Sequence, residues 1–117
     1  MGAPSVGSVV LVRFPFSDLS QTKLSPAVLL APVGPEDALL VQITSNPYGD
    51  PRAEELSESD FLSGSLRTTS FARPGKLFTA STELIVSVVG RVNYRFFRRV
   101  TAALWSMLDI SEEDYRA

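Results

Sequence analysis

The chain has 117 residues, with 11 Lys and Arg against 13 Asp and Glu, and it contains neither cysteine nor histidine. Those absences exclude thiolate and disulfide chemistry, imidazole acid–base catalysis and the commonest protein metal ligand, so any catalysis falls to Arg, Lys, carboxylates, hydroxyls or backbone groups. A net charge of -2 excludes a molecule attractive to nucleic acid over its whole surface, although Arg91, Arg95, Arg98 and Arg99 lie close enough for a local basic patch. The length predicts a single domain, 1–117, large enough to bury a core without staples. No apolar run reaches the length of a membrane span, and the start, MGAPSVG, lacks the basic and apolar regions expected of a secretory signal. A cytoplasmic protein with no membrane partner is expected.

Ser8 to Phe14 is apolar and β-branched, the pattern of a buried strand, with Arg13 as its one charge and Pro15 marking the end of regular pairing. Ser17 to Ser25 reads as a polar loop rich in hydroxyls, with Lys23 as its cation, and a second strand follows at Ala27 to Ala31. A polar loop of that length on a small rigid scaffold is where binding or catalysis tends to sit. After the turn cluster 32–37 a third strand spans Ala38 to Thr44. Period-two alternation sets Leu39, Val41 and Ile43 on one face and Leu40, Gln42 and Thr44 on the other. Asn46-Pro47-Tyr48-Gly49-Asp50-Pro51 breaks the pattern.

Arg52 to Gly64 is acidic and poorly periodic and reads mostly as loop, anchored by Phe61 or Leu62. Short strands are expected at Leu66 to Phe71 and Lys76 to Ala80, with Arg73-Pro74-Gly75 turning between them. Leu84 to Val89 is a further strand, ended or bent by Gly90. From Asn93 the period changes to that of a helix. Phe96, Phe97, Val100, Ala103, Leu104, Met107 and Leu108 form one stripe, while Arg95, Arg98 and Arg99 take the wet face. Asn93 is the expected N-cap. Tyr94 and Trp105 fall at the stripe's edge, either finishing the core or lying exposed at an interface. About six short strands and one amphipathic helix predict a mainly β fold: a small antiparallel barrel closed or covered by the C-terminal helix. Taken alone, these patterns contain no phosphate loop, no metal cluster and no catalytic triad, and they reach no reaction.

Four stretches in order carry the reading further. Val9-Val10-Leu11-Val12-Arg13-Phe14-Pro15-Phe16-Ser17-Asp18-Leu19 with Lys23 and Pro26-Ala27-Val28-Leu29 resembles the opening of the MazF/PemK family of bacterial toxins. Leu40-Val41-Gln42-Ile43-Thr44-Ser45 resembles the family's third-strand motif, Arg73-Pro74-Gly75-Lys76-Leu77-Phe78-Thr79 its KLFT segment, and Gly90-Arg91 its Gly-Arg at the last strand. The resemblance implies an SH3-like barrel with a C-terminal helix, working as a homodimer. It implies a toxin of a type II toxin–antitoxin system: a metal-independent endoribonuclease needing no cofactor, cutting single-stranded RNA, and blocked by a cognate antitoxin. The family pairs an Arg just before the Pro-Ala of the second strand with a Thr or Ser at the end of the third. Here Thr44 matches the second, while Ser25 stands in the Arg position. The resemblance thus points to Thr44, Lys23 and Ser25 as the catalytic group, with Gln21, Ser20, Arg13 and Ser45 toward substrate. A working ribonuclease would draw its cation from Lys23 or Arg13. A weakened or inactive homologue would keep only RNA or antitoxin binding, and a third possibility is an SH3-like binding module without chemistry.

Overall fold

The computed structural model describes residues 4–14 and 23–117. Among the described residues seven strands form one antiparallel sheet: β1 (Ser8–Phe14), β2 (Lys23–Pro32), β3 (Asp37–Thr44), β4 (Glu54–Leu56), β5 (Phe61–Gly64), β6 (Ser70–Ser81) and β7 (Ile85–Val92). Their order across the sheet is β4-β6-β3-β2-β1-β7-β5, and the sheet curls into a half-barrel. Helix α1 (Tyr94–Leu108) follows, and a single turn, α2 (Glu112–Tyr115), is capped by Ser111. The mainly β class with a C-terminal helix is as the sequence predicts.

Register explains why so many strand residues are apolar on both sides. Val9 lies opposite Val28, which lies opposite Val41; Val10 lies opposite Ala27. Directly opposed residues share a face, so the two rows belong to opposite faces. One face contributes Val9, Val28, Val41 and Ile43 to a core completed by Leu56, Ala72 and Val92 and by Phe96, Val100 and Leu104 of α1. The other contributes Val10, Val12, Ala27, Leu29 and Leu40, with Phe78, Leu84 and Ile85 packed against them as the sheet curls. Central strands sandwiched this way carry near-continuous apolar runs, which is what β1 and β2 show.

α1 starts where the sequence predicts. Asn93 Oδ1 accepts the N–H of Phe96 at 2.8 Å, satisfying one of the helix's unpaired first-turn donors. Its buried stripe is narrower than expected: Phe96, Val100 and Leu104 are buried, Phe97 and Met107 only partly, and Leu108 is 63% exposed. Tyr94 and Trp105 are exposed rather than completing the core. Arg99, expected on the wet face, instead ties α1 to the segment before β5. It reaches Glu54 at 3.4 Å and Asp60 at 3.6 Å, and its Nη2 donates to the Glu55 carbonyl at 3.1 Å.

Other expectations are corrected. β2 begins at Lys23, so Lys23 to Ser25 are strand, not loop. Residues 52–64 hold β4, a 3-10 turn at Glu58–Asp60 and β5; pairing with β6 and β7 creates strands that lack any pattern of their own. Phe61 packs against the core as an anchor while Leu62 is exposed. The strand expected from Leu66 begins only at Ser70, because Arg67 takes φ +64, outside the strand region. Arg73-Pro74-Gly75 is no turn but the middle of β6. Val41 faces Leu77 and Ile43 faces Ala72, so the extra β6 residues form a bulge that absorbs the proline. Of the two roles expected for Gly90 it does not end β7, which runs on to Val92, but marks an irregularity in it: Val9 lies opposite Gly90 and Val10 opposite Val88.

Candidate functional site

The ends of β2 and β3 meet at an open cavity of about 370 Å³. β2 and β3 are antiparallel with Ala27 opposite Gln42. Stepping two residues outward along each strand sets Ser25 beside Thr44 on the same face, with Lys23 one further step out. Lys23, Ser25, Thr44 and Ser45 all line the cavity. Its floor and walls add Leu24, Pro26, Gln42 and Ile43 from the strands, and Tyr48, Leu66, Thr68 and Ser70 from the following segments. The register of β2 against β3, fixed by Ala27 opposite Gln42, thus joins residues the sequence alone could associate only by resemblance.

The chemistry available is cationic and hydroxylic. Lys23 is exposed, whereas Ser25 is buried at 6% exposure. Lys23 is the one cation among the described lining residues. An ammonium is a mobile point charge, lacking the fork with which a guanidinium grips a phosphate. Thr44 Oγ1 accepts the N–H of Asn46 at 3.2 Å, which occupies a lone pair and leaves the hydroxyl proton to donate outward. Arg13, on β1 opposite Leu24, is exposed but does not line the cavity. Gln21 and Ser20 lie outside the described residues.

The segment after Thr44 is held by a chain of short contacts. Asn46 Oδ1 accepts the N–H of Tyr48 at 2.9 Å, and Asp50 Oδ1 accepts that of Arg52 at 2.9 Å. Asp50 Oδ2 receives Arg73 Nε at 3.1 Å, and the pair is largely withdrawn from water, with side chains 14% and 19% exposed. The Arg52 backbone N–H and the Arg73 guanidinium hold the Asp50 carboxyl below its ordinary value of 3.8. The Arg73 guanidinium lies over the Tyr48 ring, 5.5 Å from its centroid. The bulge in β6 aims Arg73 at this segment, so the motif read as a turn serves to pin the wall of the cavity. Tyr48 was missed because its segment reads as a chain breaker, and Leu66, Thr68 and Ser70 because they read as part of a short strand that nothing in the sequence joins to β2 and β3. Only the turn chemistry of Asn46 and Asp50 was visible around Tyr48.

The sequence matches no protein-family model and no curated protein. Solved structures do match. MazE–MazF from Deinococcus radiodurans superposes with a TM-score of 0.75 at 18% identity, covering 95% of this chain and 100% of that one. An endoribonuclease in complex with its cognate antitoxin from a mycobacterial species gives 0.70 at 17%, covering 95% and 98%. Mycobacterium tuberculosis toxin MazF-mt6 gives 0.69 at 11%, covering 89% and 98%. The chain therefore shares the MazF fold over most of its length.

Proposed function

We propose that this chain is the toxin of a type II toxin–antitoxin pair, an endoribonuclease that cuts single-stranded RNA without a metal ion, acts in the cytoplasm as a homodimer and is restrained by a cognate antitoxin. The observation that carries the reading is the convergence of Lys23, Ser25, Thr44 and Ser45 on one open cavity of a MazF-type fold. The solved relatives include an endoribonuclease bound to its antitoxin and a MazE–MazF complex, which supports a protein partner of that kind here.

In such a cleavage the 2′-hydroxyl gives its proton to water as its oxygen attacks the adjacent phosphorus, the bond from phosphorus to the 5′-oxygen breaks, that oxygen takes a proton from water, and a 2′,3′-cyclic phosphate is left; negative charge grows on the non-bridging oxygens on the way. Lys23 supplies the positive charge that meets it, and the Thr44 hydroxyl donates to the same phosphate, with Ser45 beside it. A second reading rests on Ser25, which is buried, uncharged and placed where the family resemblance calls for Arg. A hydroxyl cannot replace a guanidinium, and losing one strong electrostatic donor costs roughly 10²–10³ in rate. In that reading the chain is a weakened toxin that retains RNA and antitoxin binding.

The test is cleavage of single-stranded RNA in EDTA by the wild-type chain, Ser25→Arg and Lys23→Ala. Cleavage by wild type, abolished in Lys23→Ala, supports the active enzyme. Cleavage by Ser25→Arg alone supports the weakened toxin. No cleavage by any folded variant refutes the ribonuclease and leaves a binding module.

A further inference from the structure

We propose that Tyr48 is a stacking platform for a nucleobase of the bound RNA, clamped at the mouth of the cavity by Arg73 and Asp50. The assignment rests on the ribonuclease reading and extends it to a residue outside the phosphate-binding group. Tyr48 is the one aromatic among the described residues lining the cavity, and it is 69% exposed. An aromatic ring left in water forgoes most of its burial energy, so its position needs another reason.

That position is also costly. Tyr48 takes φ +54, a conformation a bulky L-residue rarely adopts. Such strain persists only where the surroundings over-determine it, and it gathers at ligand-binding sites. Here they do over-determine it. The N–H of Tyr48 is held by Asn46 Oδ1 at 2.9 Å, and Asn46 is in turn tied back to Thr44 Oγ1 at 3.2 Å. One face of the ring lies under the Arg73 guanidinium, 5.5 Å away. That guanidinium is fixed by Asp50 on the opposite side of the loop's turn, with Nε to Oδ2 at 3.1 Å. The ring is therefore immobilised from the backbone and from one face, and its exposure leaves the other face to solvent.

A rigid aromatic with one open face beside a phosphate-binding cation and hydroxyls is the arrangement that holds single-stranded nucleic acid: charge tracks the backbone while a base stacks on the ring. A cation behind the ring polarises it, and the larger π surface of a purine gains more from the contact than a pyrimidine. The chain of contacts from Thr44 through Asn46 to Tyr48 also fixes the ring relative to the hydroxyl proposed to meet the phosphate. Tyr48 thus sets which nucleotide is presented there. The other exposed aromatics among the described residues do not share this setting: Tyr94, Trp105 and Tyr115 lie on α1 and α2, outside the cavity's lining.

The test is binding of a single-stranded RNA pool, 2′-O-methylated against cleavage and carrying 2-aminopurine at its purine positions, to the full chain. Tyr48→Phe keeps the ring. Tyr48→Leu keeps apolar cover over Arg73 without a π face. Tyr48→Gly accepts the positive φ without strain and so preserves the loop. Wild type and Tyr48→Phe are expected to quench 2-aminopurine fluorescence. Tyr48→Leu and Tyr48→Gly should bind roughly 5- to 150-fold more weakly, the span of one base–aromatic stack, and leave the fluorophore bright. Equal affinity and equal quenching in Tyr48→Leu and Tyr48→Gly would overturn the Tyr48 assignment alone, since RNA binding would stand. Absence of RNA binding by wild type would overturn the ribonuclease reading and this assignment together.

Discussion

Replacing Asp50 by Asn tests whether the wall of the cavity is pinned by charge. The substitution keeps the shape and the contact to the Arg52 N–H but leaves Arg73 without its counter-ion. Breaking one partner of a fully buried pair costs about 3–5 kcal/mol, and a single hydrogen bond to a charged group contributes about 1.5–3 kcal/mol. With the side chains 14% and 19% exposed, water screens part of the loss, which places the expected cost near 2 kcal/mol. At roughly 4 °C per kcal/mol for a domain of this size, the melting temperature should fall by about 8 °C. The assay is thermal and urea unfolding followed by circular dichroism for wild type, Asp50→Asn, Arg73→Met and the double variant. A coupling of at least ~1 kcal/mol is expected. Coupling inside the ~0.3–0.5 kcal/mol scatter of independent sites would refute the pinning. The pH dependence gives a second check. The folded carboxyl titrates below 3.8, so the pair's stabilisation is full at pH values well above 3.8 and is lost as pH falls through the folded value. The stability gap between wild type and Asp50→Asn should therefore be constant near neutrality and close only in acid.

Two further substitutions probe the frame around the site. Gly90 lies where a Cβ would meet the Ser63 carbonyl oxygen at 2.6 Å and the Phe61 ring at 2.9 Å. Gly90→Ala should destabilise by about 1–3 kcal/mol, with amide exchange of 61–64 rising far more than that of β2; uniform exchange across both would refute a local clash. Asn93→Ala removes the α1 cap and should cost about 1 kcal/mol, while Asn93→Ser recovers most of it. Both are read from urea midpoints at constant slope.

Where sequence reading succeeded, the determining interactions were local. The β-branched runs at Ser8 to Phe14 and Ala38 to Thr44 state a strand in their own composition. The helical stripe from Phe96 and the Asn93 cap state a helix in their own spacing and its start in one side chain. The lack of Cys and His bounds the chemistry whatever the fold. Even Thr44 and Ser25 were legible as a pair, though only through the resemblance, since nothing in their spacing joins them.

What failed was whatever depends on partners distant in sequence. β4 and β5 are strands because β6 and β7 offer them backbone hydrogen bonds, not because Glu54–Leu56 or Phe61–Gly64 prefer extended structure. Pro74 and Gly75 read as a turn because they usually make one. Here the bulge against β3 gives the proline a place without an amide donor, so the strand continues past it. Arg99 looked like a solvated residue until α1 docked beside Glu54 and Asp60. Composition and periodicity therefore determined the class of fold, the helix and the range of side chains open to chemistry. The tertiary structure alone decided that Tyr48, held by the Arg73–Asp50 pair behind it, lines one cavity with Lys23, Ser25 and Thr44. Strand register and a bulge bring together residues whose local sequences carry no record of one another.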